Sequence, residues 1–188
     1  TGRDKIAKFE GCYHGWHDYA MWSTDMDEET AGPAKQPHAN AASGGIPAAV
    51  RNTMLVLPFE DSAFDLIEKH AHELAGVIIE PVIGGGALPV EAEFLQKLRD
   101  VTAKNQLLLM YDEVVTGFRI SLGGMQEATG VLPDLATYGK VIGGGTPVGA
   151  VACSEGLMRT VTESKPPLMI AGTFNGNPLS AAAGTKTL

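Results

Sequence analysis

Short runs of apolar residues and one amphipathic segment dominate the middle of the chain. Residues 75–81 (AGVIIEP) and 106–111 (QLLLMY) have the length and composition typical of strands that are buried on both faces. Between them, residues 90–104 place their large apolar side chains on one side at helical spacing, which predicts a helix. Because strand, helix and strand in this order form a right-handed crossover, we predict an α/β fold with a mainly parallel central sheet flanked by helices.

Weaker patterns extend this arrangement in both directions. We predict further strands at residues 5–9, 54–57, 134–137 and 148–153. We predict helices at residues 61–74 and 178–188. Residues 23–46 are rich in Gly, Pro, Asn and Ala, which predicts a long surface loop of the kind that is usually functional or mobile.

The composition is that of a folded globular protein. Of the 188 residues, 44% are hydrophobic and 19% are charged, which is unlike a disordered chain. The 22 acidic residues outnumber the 14 basic ones, and no cluster of Lys or Arg occurs, so we expect no nucleic-acid or membrane partner. No apolar run reaches the roughly 18 residues that a membrane-spanning helix needs. Two cysteines are too few for a disulfide framework, which predicts a reducing, cytoplasmic location.

Both ends of the sequence are abrupt. It begins at Thr1 rather than at a methionine, and the helix predicted at residues 178–188 stops after roughly three turns. We therefore expect the sequence to be a piece of a longer protein.

Charged side chains follow the ends of the predicted strands. Glu80 ends one strand, Asp112 and Glu113 end the next, and Lys140 follows the element at residues 134–137. Open parallel sheets bind ligands beyond the carboxyl ends of their strands, so these side chains are candidates for one site. A lysine and an acid are the pair that enzymes dependent on pyridoxal 5'-phosphate (PLP) use, the lysine to bind the cofactor and the acid to pair with its ring nitrogen.

The local sequence suits both members of this pair. A reactive lysine amine must lose its proton, which burial promotes, and Lys140 lies in the segment TYGKVIGGG, which has no other charge and little bulk. Asp112 follows a run of apolar and aromatic residues. We therefore expect Asp112 to be buried and to need a cationic partner, such as a protonated pyridine ring.

Simpler interpretations exist for the same features. A lone lysine after a strand is usually a surface residue, and an aspartate at a strand end is often a helix cap. The glycines at 143–145 favour a flexible turn over a phosphate site, because neither the P-loop pattern nor a dinucleotide-binding glycine fingerprint occurs. His14, His17 and Asp18 are spaced like metal ligands but lack further ligands, so no metal is predicted.

Several motifs follow one another in order along nearly the whole chain. They are FEGCYHG at residues 9–15, DEVVTGFR at 112–119, GVLPDLATYGK at 130–140, GGGTPVG at 143–149 and AGTFNGNP at 171–178. Together they closely resemble the class III (omega) aminotransferases, and within that family they are most similar to the glutamate-1-semialdehyde 2,1-aminomutases. The resemblance implies the PLP-dependent transferase fold type I, with residues 1–188 forming part of its PLP-binding large domain. It also implies a phosphate-cup segment upstream of the sequence and a small C-terminal domain downstream of it.

The resemblance implies a role for each residue around the cofactor ring. Lys140 would bind the cofactor aldehyde and, once displaced by substrate, move a proton between carbon atoms. Asp112 would pair with the ring nitrogen. Val114 would pack against one face of the ring, and Tyr13 would stack on the other face with His14 nearby.

The resemblance also implies roles farther from the ring. Thr173 would reach the cofactor phosphate of the neighbouring subunit, which implies a homodimer with shared active sites, and Glu80 would support the site from behind. From the residues alone, Thr173 is equally well a turn or cap residue and Tyr13 a core aromatic. Arg119 is a candidate either for binding a substrate carboxylate or for a structural role.

The activity that the resemblance implies is PLP-dependent transfer of an amino group in small amino or keto acids. In the aminomutases the transfer is intramolecular and gives 5-aminolevulinate. Residues 84–89 (GGGALP) are shorter and richer in glycine than the matching aminomutase segment, and residues 172–175 (GTFN) also resemble relatives that act on beta-amino acids. An omega- or beta-amino acid:keto acid transaminase is therefore an alternative. A non-catalytic α/β binding module of the same fold is the alternative of another class.

Overall fold

A computed structural model describes residues 1–25 and 28–188 of the chain. The chain divides into two units, Thr1–Tyr111 and Asp112–Leu188. None of the helices that these described residues form is both long and apolar enough to cross a membrane.

Parallel strands form the sheet of the first unit. In chain order, the strands of the whole chain are β1 (Lys5–Phe9), β2 (Met54–Leu57), β3 (Leu74–Ile79), β4 (Val82–Ile83), β5 (Leu88–Pro89), β6 (Leu108–Asp112), β7 (Leu135–Tyr138) and β8 (Ala150–Cys153). In the first unit the order across the sheet is β2-β1-β3-β6, and the neighbours in this order are parallel. The prediction of a mainly parallel α/β sheet is therefore confirmed.

The helices are divided between the two units. The first unit contains α1 (Ser62–His70) and α2 (Ala92–Lys104), and the second contains α3 (Gly124–Thr129), α4 (Glu155–Glu163) and α5 (Pro178–Thr187). Short 3-10 helices lie at Ala48–Thr53 and Lys140–Gly143. The predicted strands and the three predicted helices are confirmed, with small shifts of their boundaries.

Helices α1 and α2 cover one face of the first unit's sheet. Phe9 of β1 stacks on Phe59 with ring centroids 4.7 Å apart and meets Phe94 of α2 edge-on at 5.6 Å. Phe94 also packs against Phe64 of α1 at 5.0 Å. Side chains alternate along a strand, so Ala7 lies on the same face as Phe9, and both residues are fully buried. These contacts form the core between sheet and helices.

The segment that follows β1 folds back over the opposite face of this sheet. Ile6 and Lys8 point to this face and line a cavity of about 370 Å³. Trp22 is buried in a cluster with Met54 and Val56 of β2. The chain after β1 is thus packed against the side of the sheet that the helices leave uncovered.

The hairpin between β3 and α2 was not predicted. β4 and β5 pair antiparallel, with Val82 opposite Pro89, across the glycines at 84–86. Strands of two residues carry no periodic signal, so hydrophobic patterning could not reveal them.

The predicted loop at residues 23–46 contains no helix or strand in its described part, residues 23–25 and 28–46. A single β-bridge joins Trp22 to Ala41 across it. Met26 and Asp27, which belong to the predicted loop, lie outside the described residues.

The second unit begins at Asp112, the last residue of β6. β7 and β8 pair antiparallel, from Leu135 opposite Cys153 to Tyr138 opposite Ala150. This antiparallel pairing differs from the parallel pairing of β2, β1, β3 and β6. β7 leads directly into the 3-10 helix that begins at Lys140.

Candidate active site

Asp112 is held in a tight turn at the carboxyl end of β6. Only 8% of the residue is exposed, which confirms the predicted burial. Its Oδ1 accepts hydrogen bonds from the Val114 backbone N–H at 3.1 Å and from the Thr137 hydroxyl at 3.2 Å. The backbone N–H of Glu113 donates to the Thr137 carbonyl at 2.9 Å. No helix begins at Asp112 in this described turn, so its interpretation as a helix cap is wrong.

Lys140 begins the 3-10 helix that follows β7. Its φ is +46°, which is the left-handed region that L-residues rarely adopt. The side chain is exposed, so the expectation of a buried amine is wrong for this chain. Its neighbours in sequence, Gly139 and the glycines at 143–145, provide little side-chain bulk to cover it. The amine is therefore accessible to a ligand.

Val114 packs against the turn that carries Lys140. A Cβ atom added to Gly139 would lie 3.2 Å from Val114 Cγ1, so the glycine permits this close approach. The structure therefore brings together Asp112, Val114 and the backbone next to Lys140.

Helix α5 fixes the loop after Lys140. The Ser180 hydroxyl donates to the Pro147 carbonyl at 2.9 Å. Gly184 lies so close to the Ile142 carbonyl that a Cβ atom would collide with it. The helix itself begins at a side-chain cap, because Asn177 Oδ1 accepts from the Leu179 and Ser180 backbone N–H groups. The backbone around the lysine thus depends on residues roughly forty positions later in the chain.

Thr173 lies in an exposed turn of the same unit. The Asn175 backbone N–H closes this turn on the Gly172 carbonyl at 3.0 Å. Thr173 lines a cavity of about 550 Å³ together with Val148 and Phe174. The threonine hydroxyl is therefore placed on an accessible surface of the second unit.

Glu113 is a buried carboxylate that the sequence indicated only as a strand-end acid. It is fully buried and accepts hydrogen bonds from the Thr116 hydroxyl at 2.6 Å and from the Met125 and Gln126 backbone N–H groups at 3.0 and 3.2 Å. Gln126 Nε2 bonds both to Glu113, at 3.2 Å, and to the Tyr138 hydroxyl, at 2.9 Å. Glu113 therefore links the turn after Asp112 to α3 and, through Gln126, to β7.

Glu80 supports the backbone of Tyr13 in the first unit. Its Oε2 accepts a hydrogen bond from the Tyr13 N–H at 2.9 Å, and only 4% of the residue is exposed. Tyr13 itself is 50% exposed, so its interpretation as a core aromatic is wrong. His14 is half-buried and lines the cavity of about 370 Å³.

Lys8 is a second buried charged residue that the sequence analysis missed. Its Nζ donates to the Cys12 carbonyl at 2.6 Å and to the Trp22 carbonyl. Burial lowers the pKa of Lys8 to about 8. Electrostatic attraction to Cys12 and Glu80 raises this pKa, but by less than burial lowers it. A lysine between apolar neighbours in a strand, as in KIAKF, is the signal that could have revealed it.

The remaining candidates make local contacts. His17 Nδ1 accepts from the Tyr19 N–H at 3.2 Å, and the two rings pack at 5.2 Å. In the described part of the chain, no group of three or more His, Cys, Asp or Glu side chains is arranged to hold a metal ion. Arg119 Nε donates to the Val115 carbonyl at 2.8 Å, which supports a structural role.

The family model and the similar proteins each match the whole chain. The family model for aminotransferase class-III matches residues 1–188. Glutamate-1-semialdehyde 2,1-aminomutase from Methanococcus maripaludis strain C5 is 44% identical over 191 residues, which cover 100% of this chain and 43% of the relative. An omega-transaminase from Sphaerobacter thermophilus superimposes with a TM-score of 0.89 and 44% identity, covering 100% of this chain and 43% of that structure.

A transaminase with PLP bound superimposes with a TM-score of 0.83 and 33% identity, covering 98% of this chain and 43% of that structure. The chain therefore spans less than half the length of the relatives that it matches. Its fold is the fold type I of these transaminases, as the sequence predicted. From residue 1 to residue 188, the chain belongs to the class III aminotransferases.

Proposed function

We propose that the full-length protein is a PLP-dependent enzyme that transfers an amino group. The observation that supports this most directly is the hydrogen bond between Asp112 and Thr137, which ties a buried carboxylate to the strand that leads to Lys140. A buried acid and an accessible amine are the pair of groups that PLP requires from a protein. The residues present therefore fit the cofactor.

Each residue would hold or orient one part of the cofactor. When bound, PLP supplies an electron-accepting ring that stabilises negative charge on a substrate carbon. Asp112 would hold the proton on the ring nitrogen, because a buried carboxylate needs a cationic partner. Lys140 Nζ would bind the aldehyde in the resting enzyme and then move the proton at the substrate carbon. Val114 would orient the ring by apolar packing on one face, and Tyr13 would orient it by aromatic stacking on the other.

Other residues would support this arrangement. Glu80 would fix the backbone of Tyr13 through the hydrogen bond at 2.9 Å, and His14 would lie beside it. Thr173 would donate a hydrogen bond to the cofactor phosphate in the neighbouring subunit, for which its exposed position is suitable.

The specific activity that we propose is intramolecular amino transfer of the glutamate-1-semialdehyde 2,1-aminomutase type. The relative from M. maripaludis carries that name at 44% identity. The alternative is an omega- or beta-amino acid:keto acid transaminase, which the omega-transaminase from S. thermophilus supports at the same identity. The two activities use the same lysine and acid and differ in whether the amino group returns to the molecule that it left.

We also propose that the enzyme is a cytoplasmic homodimer. Met169 and Phe174, on either side of Thr173, are 89% and 60% exposed in the single chain. Exposed apolar patches of this kind mark protein interfaces. The scarcity of cysteine supports a reducing compartment, and the net charge of -8 disfavours a nucleic-acid partner.

Formation of 5-aminolevulinate from glutamate-1-semialdehyde, without an added amino acceptor, tests the proposal on the full-length protein with PLP. We expect product together with the visible absorbance of bound cofactor. Lys140→Ala should remove this absorbance and lower the rate on the order of a thousandfold or more. Lys186→Ala is the matched control, because Lys186 is an exposed lysine of α5 in the same unit, and it should preserve both signals.

The outcomes separate the alternatives. Product that forms only when an amino acid and a keto acid are supplied together would identify a transaminase. A full-length protein that stays colourless with PLP and forms no product would contradict the proposal and favour a non-catalytic module.

A further inference from the structure

A buried lysine that the proposed chemistry does not use lies in β1. Lys8 is fully buried, and its Nζ donates to the carbonyl oxygens of Cys12 and Trp22. A buried charge is expensive, and an apolar side chain of similar volume is often at least as stabilising in a core. Stability alone therefore does not account for a lysine at this buried position.

These contacts lie at both ends of the segment that carries Tyr13 and His14. Cys12 immediately precedes Tyr13, and Trp22 is the residue before Ser23, whose carbonyl accepts from the Gly11 N–H at 2.8 Å. The ammonium group of Lys8 thus binds the segment where it leaves the sheet and again where it returns.

Glu80 holds the same segment from the neighbouring strand. Lys8 is paired in register with Ile78 of β3, and side chains alternate along a strand, so Glu80 points to the same face as Lys8. Its carboxylate accepts the Tyr13 N–H at 2.9 Å. Two buried side chains of opposite charge therefore restrain the backbone around Tyr13.

We propose that Lys8 is a positioning residue for Tyr13. Its ammonium group holds the carbonyls of Cys12 and Trp22 against β1, while Glu80 holds the Tyr13 amide. The segment is fixed at both ends, so the phenol ring projects from a defined backbone. That the ring then meets the cofactor rests on the proposed function.

Backbone amide hydrogen exchange of the full-length protein without cofactor tests the first part. Lys8→Met removes the charged donor and keeps a long apolar side chain. We expect the amides of residues 11–13 to exchange faster, on the order of tenfold, because two buried carbonyls lose a charged donor. Lys5→Met is the matched control, because Lys5 lies on the same strand and its side chain pairs with Glu73 at 2.8 Å near the surface. It should leave the exchange of residues 11–13 unchanged.

Wild-type exchange rates at residues 11–13 in Lys8→Met would overturn the proposal. If that variant does not fold, Lys8→Gln provides the second measurement, because it removes the charge at position 8 and keeps a neutral N–H donor. We expect exchange of residues 11–13 to increase a few fold, and no increase would equally refute the role of Lys8.

The dissociation constant of PLP tests whether Lys8 acts through Tyr13. It is measured for Lys8→Met, Tyr13→Leu and the double variant. We expect each single variant to bind PLP roughly threefold to tenfold more weakly, the usual worth of an aromatic stack, and the double variant to lose no more. Losses that multiply in the double variant would show a general structural role and overturn the proposal. A wild-type protein that binds no PLP would instead contradict the proposed function, while the exchange experiment would still decide the role of Lys8.

Discussion

At the scale of single residues, the buried amine of Lys8 makes stability depend on pH. Its pKa is about 8 in the folded chain, against an ordinary value of 10.5. Between these values the unfolded chain binds more protons than the folded one, so the free energy of unfolding should rise with pH. We expect a constant contribution below about pH 8 and an increase of up to about 1.4 kcal/mol per pH unit above it, ending near pH 10.5.

Urea unfolding of the wild type and of Lys8→Met, at about pH 7 and about pH 9.5, measures this contribution. Other titratable groups face Lys8, and both proteins retain them: Asp4, Cys12, His14, His17, Tyr19 and Glu80. The difference between the two proteins therefore isolates Lys8. If the stability of the wild type relative to the variant did not increase with pH, the amine would be hydrated in the folded protein.

The sequence indicated Asp112 and Lys140 as candidate site residues because each follows a recognisable apolar element. Neither Lys8 nor Glu113 was predicted to be buried, although Lys8 lies between apolar residues in KIAKF. A charged side chain is buried only where polar partners surround it. The partners of Lys8 are the carbonyls of Cys12 and Trp22, and the pattern of the strand does not indicate them. Hydrophobic patterning reports which residues avoid water, but it does not report which polar groups compensate for a buried charge.

At the scale of elements, α3 depends on one carboxylate. The helix has six residues, too few to be stable on their own, and Glu113 accepts hydrogen bonds from the backbone N–H groups of Met125 and Gln126 in its first turn. We expect Glu113→Gln to lower the free energy of unfolding by about 2–4 kcal/mol, because the new amide group would face N–H donors. Urea unfolding followed by circular dichroism measures the change.

Glu127→Gln is the matched control for this prediction. Glu127 lies on the same helix and is exposed, and its Oε2 accepts from the Gly123 N–H at 2.9 Å. We expect little change in stability from this replacement, because water can substitute for the lost interaction. Equal stability of the Glu113 and Glu127 variants would show that the buried network does not hold α3.

The elements that the sequence predicted are those with length or a clear period. α2 has thirteen residues with one apolar side, and β3 and β6 are mostly apolar. The nine-residue α4 was also missed, although it is as long as α1. α3 and the β4–β5 hairpin escaped prediction because their short lengths cannot carry a periodic pattern. Such elements form because of contacts made elsewhere in the fold, as α3 does through Glu113.

At the scale of the whole molecule, the exposed apolar residues around Thr173 predict a dimer interface. We expect Phe174→Asp in the full-length protein to shift sedimentation from dimer to monomer, since a buried unpaired charge at an interface is strongly unfavourable. The proposed activity should fall with it, because Thr173 would serve the neighbouring subunit. Leu122→Asp is the control, because Leu122 is 77% exposed elsewhere in the same unit. A Phe174→Asp protein that remained dimeric would place the interface on another surface.

The mainly parallel sheet and the helices α1, α2 and α5 followed from the sequence because each satisfies a local rule. The division into Thr1–Tyr111 and Asp112–Leu188 did not, because it depends on which long-range contacts form. The boundary falls between Tyr111 and Asp112, two adjacent residues of β6, and an acid at the end of a strand gives no sign of it.

The backbone of Lys140 lies in the left-handed region, with φ at +46°. A residue with a Cβ atom loses about 1 kcal/mol or more in this conformation, whereas glycine adopts it without penalty. A glycine at position 140 would relax the turn and leave it without a nucleophile. Thermal stability and reactivity therefore favour different residues at this position. Selection for thermal stability alone would be expected to replace Lys140 by glycine and so to remove the amine on which the proposed chemistry depends.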